Sequence, residues 1–314
     1  MSFYAMDTIF HFTVYDGDKA HALKAAREEA ERLEALWSVT RAESEISRLN
    51  HSEGTPEKVS QETLSALRYA QELYRVTDGV LDVSLFPLLS AWGFTRDTQH
   101  VPNDEVIARM LARRGIDALR IEGDTVTMPA GAELDFGAIG KGYAADIVAA
   151  RLREYGVTSA ILSLGGNITV MGKKPDNTPW RVAIKDPSAP ERMMGVVDLS
   201  EESLATSGGY ERFFIENGIR YGHILDPRTG WPAETNLLSA TAIAKDGRGA
   251  DAFSTTLYIL GLDGAIDFYL AHEGLDFILV TSAGEVYISE GLDGRFSLLD
   301  DYAGKTVNIV IKSG

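Results

Sequence analysis

Residues 119–128, LRIEGDTVTM, alternate apolar and polar side chains on both sides of Gly123-Asp124. Two alternating runs joined by a two-residue turn of this kind are typical of a β-hairpin. A helix is predicted after Gly137, ending at Gly156, and the apolar run 159–164, SAILSL, is predicted as the next strand. The order hairpin, helix, strand departs from strict βαβ alternation, which favours an α+β fold over a doubly wound parallel sheet.

The segments on either side continue this mixture. Residues 9–15 alternate as a strand, and residues 180–185 alternate well enough to be the sheet neighbour of 159–164. Further strands are predicted at 195–199, 239–244, 277–281 and 285–288. Helices are predicted from the turn at 16–18 to Trp37, from Ser60 as N-cap to Gly79, between Asn103 and Gly115, and at about 250–260 and 264–273. With no linker or repeat in view, we expect a single domain over residues 1–314, built of two lobes.

The composition restricts the chemistry more than the fold. The chain has 314 residues, is 45% hydrophobic and 24% charged, and contains no cysteine, so disulfides, thiolate metal ligands and thiol nucleophiles are excluded. A net charge of −16 argues against a nucleic-acid partner, which requires clustered Lys and Arg. No run approaches the ~18 apolar residues of a membrane span. No signal peptide is visible, so we expect a cytoplasmic protein; an exported form with a trimmed signal would read the same.

Residues 135–142, DFGAIGKG, combine three glycines with Lys141 where a helix is predicted to begin. Backbone N–H groups at a helix N-terminus can approach an anion closely, and Lys141 would add positive charge. The spacing differs from that of a Walker A loop. The alternative is a glycine-rich turn with a surface lysine, and the local pattern leaves both open.

Asp251 and Thr255 are four residues apart where a helix is predicted to open, so their side chains lie on one face. A carboxylate and a hydroxyl placed in this way suit a hard cation such as Mg²⁺. The alternative is an Asp favoured by the helix dipole and a Thr bonded to its own backbone.

Three further side chains, those of His223, Arg228 and Trp92, have both a functional and a structural interpretation. His223 precedes a turn-forming segment and is a candidate general base near neutral pH, although a structural histidine bonded to a carbonyl would read the same. Arg228 can pair with Asp226 within that turn. Trp92 is either a ledge for a planar ring or a core tryptophan.

Eight motifs, taken in order, resemble the FAD:protein FMN transferases, the ApbE family. They are SEISRLN at 44–50, TDG at 77–79, AWGF at 91–94, residues 135–146, LGGN at 164–167, TSG at 206–208, residues 223–230 and residues 250–255. The resemblance extends from about Met6 to Ser289. It implies a single compact α+β unit with mixed or antiparallel sheets and flanking helices, in two lobes with the FAD site between them.

The resemblance also implies roles for individual residues. Asp251, Thr255 and the backbone carbonyl of Ala138 would bind Mg²⁺, with Ser254 as a candidate neighbour in that shell. His223 would be the catalytic residue. Thr40 stands where many members have an aromatic residue, so no stacking ring is implied there. The positions that correspond to FAD-binding residues are Met6, Ala91, Trp92, Gly93, Asp135, Lys141 and Ile224.

The implied reaction is the Mg²⁺-dependent transfer of the FMN half of FAD to a Ser or Thr hydroxyl of an acceptor protein. Acceptors in the family carry a motif Asp-x-x-Ser/Thr-Gly-Ala-Thr/Ser, which is absent from this chain. We therefore expect a separate acceptor, with no nucleic-acid partner and no membrane span. The alternatives are a pyrophosphatase that converts FAD to FMN and AMP, and a non-catalytic flavin-binding protein.

Overall fold

The computed structural model describes residues 1–96 and 98–312. The strands are β1 (Ser2–Ala5), β2 (Thr8–Val14), β3 (Glu57–Lys58), β4 (Arg120–Glu122), β5 (Thr125–Thr127), β6 (Ala160–Leu164), β7 (Asn167–Met171), β8 (Trp180–Asp186), β9 (Ala189–Leu199), β10 (Ser203–Gly208), β11 (Phe213–Glu216), β12 (Ile219–Gly222), β13 (Leu237–Ala244), β14 (Leu275–Thr281), β15 (Val286–Ser289), β16 (Phe296–Leu298) and β17 (Val307–Val310). The α-helices are α1 (Lys19–Trp37), α2 (Glu45–Asn50), α3 (Gln61–Val76), α4 (Phe86–Ala91), α5 (Asp104–Leu111), α6 (Gly140–Glu154) and α7 (Gly247–Ala271).

The chain forms two compact units whose segments alternate along the sequence. The first unit comprises Met1–Glu31, Lys141–Glu211 and Thr235–Gly314, and the second comprises Arg32–Gly140 and Arg212–Glu234. Strands and helices are mixed without regular alternation, which confirms the predicted α+β class. The single domain over residues 1–314 stays a prediction.

The first unit is built on a nine-stranded sheet in the order β1-β2-β6-β7-β10-β13-β14-β15-β17. Every neighbouring pair in it is antiparallel except β15 with β17. A three-stranded sheet, β16-β9-β8, packs its apolar side chains against the larger sheet. The core between the two sheets includes Val182, Val197, Ile243 and Ile278, each 7% exposed or less.

The predicted pairing of 180–185 with 159–164 is wrong. Both segments are strands, but β6 pairs with β2 and with β7, whereas β8 belongs to the smaller sheet and pairs with β9. The reason is the tight turn at Gly165 and Gly166, both with positive φ, which returns the chain directly into β7 beside β6. Both β6 and β8 have one buried face, so alternation alone could not assign their partners.

Helix α7 replaces the two helices predicted at 250–260 and 264–273. It runs from Gly247 to Ala271 with a local break at Gly261 (φ 71°, ψ −177°), and its N-cap is Asp246, whose side chain accepts a hydrogen bond from the amide of Gly249. The break explains why the apolar pattern suggested two helices. Helix α7 packs on β10 and β13.

The second unit contains the helices α2 to α5 and two small sheets, β3-β5-β4 and β11-β12. The predicted hairpin around Gly123-Asp124 is present as β4 and β5. Ser60 and Asn103 are the N-caps of α3 and α5, as predicted, and each side chain accepts an amide hydrogen bond. Strands β11 and β12 form a hairpin around Asn217 and Gly218 that the sequence analysis did not identify.

Among residues 1–96 and 98–312, no helix is both long and apolar enough to cross a membrane.

Candidate active site

Asp251 is the buried carboxylate of an oxygen cluster in the first unit. The residue is 4% exposed, and its carboxylate accepts a hydrogen bond from the amide of Gly142 at 2.8 Å and lies 3.9 Å from the ammonium of Lys141. One turn further along α7, Ser254 and Thr255 present hydroxyls that lie 2.9 and 3.1 Å from Oγ of Ser207 on β10. The three hydroxyls are therefore in contact, and the helical period places Thr255 on the same face of α7 as Asp251, so one carboxylate and three hydroxyls form the oxygen cluster on α7 and β10.

Helices α6 and α7 approach each other at two glycines beside this cluster. A Cβ atom on Gly142 would collide with the carbonyl oxygen of Gly247 and lie 2.6 Å from Cβ of Asp251. One turn along α6, the carboxylate of Asp146 accepts hydrogen bonds from the amides of Gly247 at 2.5 Å and Arg248 at 3.1 Å. These contacts tie the N-terminal turns of the two helices together and fix the position of Asp251.

The dipole alternative for Asp251 does not hold. Asp251 is the fifth residue of α7, and the amides of the first turn are already bonded to Asp146 and Asp246. Thr255 is also not bonded only to its own backbone, because its hydroxyl contacts Ser207. Ser254 does bond to its helix, since its Oγ donates to the carbonyl of Asp251 at 2.9 Å.

One amide of the glycine-rich segment 135–142 differs from the predicted anion loop, because it is already hydrogen-bonded within the chain. The amide of Gly142 is bonded to Asp251, so this N–H group serves a carboxylate of the chain itself. Gly142 is required by the close approach to α7. Lys141, the second residue of α6, has a side chain only 27% exposed and faces Asp251, so it is no ordinary surface lysine.

The cluster fits a hard divalent cation. Its donors are all oxygens, and Mg²⁺ is commonly bound by one or two carboxylates while water and substrate phosphates fill its other positions. Among the described residues, no group of three or more His, Asp or Glu side chains is arranged to hold a metal. A cation at Asp251 therefore requires hydroxyl, carbonyl or substrate oxygens to complete its coordination.

Met6 lies in the same unit, in the turn between β1 and β2. Met6 and Asp7 both have positive φ, 49° and 59°, as a two-residue turn of type I′ requires. Such turns normally contain Asn or Gly, so a half-buried Met in this conformation is unusual. The role that the resemblance implies for Met6 stays a prediction.

His223 lies in the second unit, directly after β12. Its amide and its Nδ1 both lie 3.1 Å from the carbonyl oxygen of Arg212. A carbonyl only accepts, so Nδ1 carries the hydrogen and the lone pair of the neutral ring is on Nε2. A bond to a backbone carbonyl is what we expected of a purely structural histidine. The same bond also fixes the tautomer that a general base needs.

Trp92 is a core tryptophan. Its side chain is fully buried, its Nε1 donates to the carbonyl of Gly230 at 2.9 Å, and its ring contacts Phe214, Tyr221 and Trp231. The ledge interpretation is therefore wrong, and the FAD-binding role that the resemblance implies for Trp92 stays a prediction. Through Gly230 this tryptophan supports the turn that follows His223.

That turn is stabilised by Asp226 and Arg228. Asp226 is 8% exposed and accepts side-chain hydrogen bonds from Arg228 Nε, at 2.9 and 3.1 Å, and from Arg228 Nη2 at 2.7 Å. The bond to Asp226 raises the pKa of the Arg228 guanidinium. The predicted pairing of Arg228 with Asp226 is confirmed, and stabilising this turn is a sufficient structural role for both residues.

The other predicted positions of the second unit lie in loops or at helix ends. Asp135 accepts a hydrogen bond from the amide of Gly137 at 2.8 Å, which shapes the loop that carries Ala138. Ala91 ends α4, and Gly93 (φ 76°) follows where a side chain would collide with the carbonyl of Thr98. Ile224 is half-buried, and Thr40 is exposed and bonded to Ser38. The roles of these residues stay predictions.

The structure therefore brings Lys141, Asp251, Ser254 and Thr255 together in the first unit, and places His223 beside the Trp92 core in the second. The sequence alone did not predict Ser207, Asp146 and Arg212 as partners of these residues. Ser207 and Asp146 lie within the motifs at 206–208 and 135–146, but their contacts are made with distant segments, so no local pattern indicates these partners. The dipeptide Asn217-Gly218 was a recognisable hairpin signal that would have placed Arg212 opposite His223.

An α+β protein with a buried carboxylate among hydroxyls, and with a histidine held in one tautomer, has the groups of an enzyme of the transferase or hydrolase class. The chain belongs to the ApbE family, whose model matches residues 6–279.

Two relatives, both called FAD:protein FMN transferase, come from Vibrio cholerae and Klebsiella pneumoniae. The first is 36% identical over 237 residues, or 74% of this chain and 71% of the relative. The second is 34% identical over 274 residues, which are 86% of this chain and 85% of the relative. The crystal structure of the ApbE protein of Thermotoga maritima has a TM-score of 0.87 at 29% identity and covers 94% of this chain and 98% of its own. The apo crystal structure of the flavinyl transferase ApbE of Pseudomonas stutzeri has a TM-score of 0.85 at 28% identity. The match covers 98% of this chain and 97% of that structure.

Proposed function

We propose that this chain transfers the FMN moiety of FAD to a Thr or Ser hydroxyl of a separate acceptor protein and releases AMP. The observation that carries the proposal is the oxygen cluster of Asp251, Ser254 and Thr255 beside Lys141, in a chain of the ApbE family. Relatives that carry the name FAD:protein FMN transferase support both the substrate and the kind of acceptor.

Asp251 and Thr255 would hold Mg²⁺, with Ser254 as their neighbour. The ligand set that the resemblance implies also includes the carbonyl oxygen of Ala138. The bound ion would neutralise charge on the pyrophosphate oxygens of FAD and on the AMP that leaves. Because Asp251 is the single carboxylate of the cluster, the affinity for Mg²⁺ is expected to be weak until FAD phosphates add their oxygens.

Lys141 would supply the second positive charge. Its ammonium lies 3.9 Å from the Asp251 carboxylate, so its charge is beside the carboxylate that would hold the cation. By the resemblance, Met6, Ala91, Trp92, Gly93, Asp135 and Ile224 would line the rest of the FAD site.

His223 would act as the general base. Its Nε2 takes the proton of the acceptor hydroxyl as the hydroxyl oxygen bonds to the phosphorus of the FMN half. The bond between that phosphorus and the bridging oxygen breaks, and the electron pair leaves with AMP. The hydrogen bond from Nδ1 to the Arg212 carbonyl keeps the basic nitrogen oriented and stabilises the protonated ring that forms.

The decisive experiment is mass spectrometry of an acceptor incubated with this protein, FAD and Mg²⁺. The probe is a recombinant domain that carries the motif Asp-x-x-Ser/Thr-Gly-Ala-Thr/Ser. The proposal requires one covalent FMN per acceptor, an equal amount of AMP, and no modification when the modified Ser or Thr is replaced by Ala. FMN and AMP without acceptor modification would identify a pyrophosphatase, and no AMP at all would identify a flavin-binding protein.

A further inference from the structure

Asn167, the first residue of β7, has a buried side-chain amide whose N–H groups are not used by the fold. The residue is 8% exposed, and among residues 1–96 and 98–312 its Nδ2 has no hydrogen-bond partner. Asn50, also buried, shows the usual arrangement, because its Nδ2 donates to the carbonyl of Leu134 at 2.9 Å and its Oδ1 accepts from the amide of that residue at 2.7 Å. A buried donor without an acceptor destabilises a fold, so the Asn167 amide is suited to a bond with a ligand.

Asn167 lies on the face of the nine-stranded sheet that also carries the oxygen cluster. Thr169 on β7 is opposite Ser203 on β10, and their hydroxyls are 2.8 Å apart on this face. Because side chains alternate along a strand, Asn167 shares the face of Thr169, and Ser207 shares the face of Ser203. The Ser207 hydroxyl contacts α7, so the Asn167 amide and the oxygen cluster are on the α7 side of two neighbouring strands.

Asn167 and Ser207 are also at the same end of the sheet. Strand β7 begins at Asn167, β10 ends at Gly208, and the two strands are antiparallel. Counted from the pair of Ser203 with Thr169, Ser207 is the diagonal neighbour of Asn167, and such neighbours lie about 7–8 Å apart. A phosphate group bound at the oxygen cluster can therefore extend to the Asn167 amide.

The turn before Asn167 lies beside the turn that contains Met6. Gly165 and Gly166 connect β6 to β7, and the amide of Gly165 donates to the carbonyl of Ile9 on β2 at 3.3 Å. Met6 connects β1 to β2 at the same end of the sheet. The strand order β1-β2-β6-β7-β10 thus places Asn167 between Met6 and the oxygen cluster.

A molecule that contacts both Met6 and a cation at Asp251 crosses the end of β7. Strands in a sheet are about 4.8 Å apart, so β2 and β10 are separated by about 14 Å, with β6 and β7 between them. Gly165 and Gly166 are exposed and have no side chains that could obstruct this path. FAD, which the resemblance places at both ends of the path, would lie over the Asn167 amide.

We propose that Nδ2 of Asn167 donates a hydrogen bond to a pyrophosphate oxygen of FAD, beside the cation held by Asp251. This inference rests on the proposed function, because it takes FAD as the substrate. An N–H group cannot bind a cation, whereas a phosphate oxygen accepts hydrogen bonds strongly. The contact adds no charge, so Mg²⁺ and Lys141 neutralise the phosphates while Asn167 fixes their orientation. Asn167 is a binding residue in this assignment, and no covalent step passes through it.

The test measures the Kd of FAD by quenching of flavin fluorescence, with Mg²⁺ and without an acceptor. ADP, which has the pyrophosphate without the flavin, and riboflavin, which has the flavin without phosphate, are used as competitors. Asn167→Leu should raise the Kd of FAD and of ADP about 10- to 100-fold, because a hydrogen bond to a charged oxygen is lost, and should leave that of riboflavin unchanged. Asn167→Asp should weaken FAD binding at least as much, since its carboxylate repels the phosphates, with unchanged affinity for Mg²⁺ in the absence of FAD.

Thermal unfolding without FAD separates a binding role from a structural one. Asn167→Leu removes a buried donor that has no acceptor among the described residues, so its Tm should equal or exceed that of wild type. The matched control, Asn50→Leu, removes two hydrogen bonds to Leu134 and should lower the Tm. Added FAD should then raise the Tm of wild type more than that of Asn167→Leu.

Several results would overturn the contact between Asn167 and FAD. A Kd of FAD within twofold of wild type in Asn167→Leu would do so, as would weaker binding of riboflavin with ADP unchanged. A fall in Tm as large as that of Asn50→Leu would mean that the amide is bonded inside the fold. Stronger binding of Mg²⁺ by Asn167→Asp would mean that the side chain faces the cation.

The same measurements distinguish this contact from the proposed transfer. If wild type binds FAD but never modifies an acceptor, the transfer fails, and the comparison of Kd values still decides the role of Asn167. If wild type does not bind FAD, both proposals fail.

Discussion

The amide of Gly142 on α6 donates a hydrogen bond to Oδ2 of Asp251 on α7, at 2.8 Å. The two residues are 109 positions apart in the chain, and the contact is possible because Gly142 lets the two helix backbones approach closely. The proposed metal-binding carboxylate is thus oriented by the helix that also carries Lys141.

Asp251→Asn is expected to abolish Mg²⁺-dependent turnover, because the ligand loses its charge while an oxygen remains for the Gly142 amide. Asp251→Ala should abolish it too, and should also destabilise the fold by about 1–3 kcal/mol, since a buried N–H group loses its acceptor. Thr255→Ala should be milder. Activity as a function of Mg²⁺ and thermal unfolding separate the two effects. Normal activity of Asp251→Asn at low Mg²⁺ would disprove the metal assignment.

Gly142→Ala tests the close approach of the two helices. In a helix this substitution normally adds about 1 kcal/mol of stability, but here the new methyl group would collide with Gly247 and Asp251. We expect lower stability and weaker binding of Mg²⁺ in the presence of FAD, measured by calorimetry. The control is Gly304→Ala, where no atom lies within 4 Å of the added Cβ. A more stable Gly142→Ala variant would contradict this packing.

His223→Ala should reduce acceptor modification by roughly 10²–10⁴-fold, the usual contribution of a general base, with little change in FAD affinity. Single-turnover kinetics and FAD titration measure the two quantities separately. His100→Ala is a matched control, because the His100 Nδ1 also lies near a backbone carbonyl, that of Thr98, at 3.0 Å. Weak FAD binding with normal turnover at saturation would make His223 a binding residue instead.

Asp146, which accepts hydrogen bonds from the first turn of α7, should make the free energy of unfolding depend on pH. Burial raises the pKa of Asp146 from its ordinary 3.8 to about 6, against the hydrogen bonds from Gly247 and Arg248, which lower it. The folded protein binds this proton more tightly than the unfolded chain, so the contribution of Asp146 to stability is full below about pH 4 and is lost as the pH rises through 6.

The variant Asp146→Asn has no carboxyl group at this position, so this proton is neither bound nor released. The free energy of unfolding of wild type relative to Asp146→Asn should therefore decrease by about 2–3 kcal/mol between pH 4 and pH 8. Denaturant unfolding at several pH values measures this difference. Asp267→Asn, at an exposed position of α7, is the control. A constant difference between wild type and Asp146→Asn would show that burial does not shift Asp146.

Incubated alone with FAD and Mg²⁺, the protein should gain no covalent FMN and should give at most slow release of FMN and AMP. The nearest string to an acceptor motif is TSG at 206–208, where both hydroxyls are already engaged. Thr206 lies 2.8 Å from the hydroxyl of Thr241, and Ser207 contacts Ser254 and Thr255. Intact mass spectrometry tests this, and a stoichiometric mass increase on a Ser or Thr of this chain would contradict it.

The elements that depend on neighbouring residues were predictable from the amino-acid sequence. Ser60 and Asn103 cap their helices as predicted, because each side chain bonds to an amide three positions away. Gly123-Asp124 turns its hairpin, and Asp226 binds Arg228 two positions on. The resemblance placed Asp251, Ser254 and Thr255 in one group, and the helical period of α7 keeps them near one another.

Which of these elements contact one another is visible only in the folded chain. The pairing of β6 with β7 rather than β8 depends on a glycine turn, and the hydroxyl of Ser207 reaches Thr255 across 48 positions. The bonds from α7 to Gly142 and Asp146, and the tautomer that Arg212 imposes on His223, are likewise contacts between separate segments. Periodicity and capping are encoded within a few residues. Contacts between distant segments depend on how whole sheets and helices pack, which no local pattern specifies.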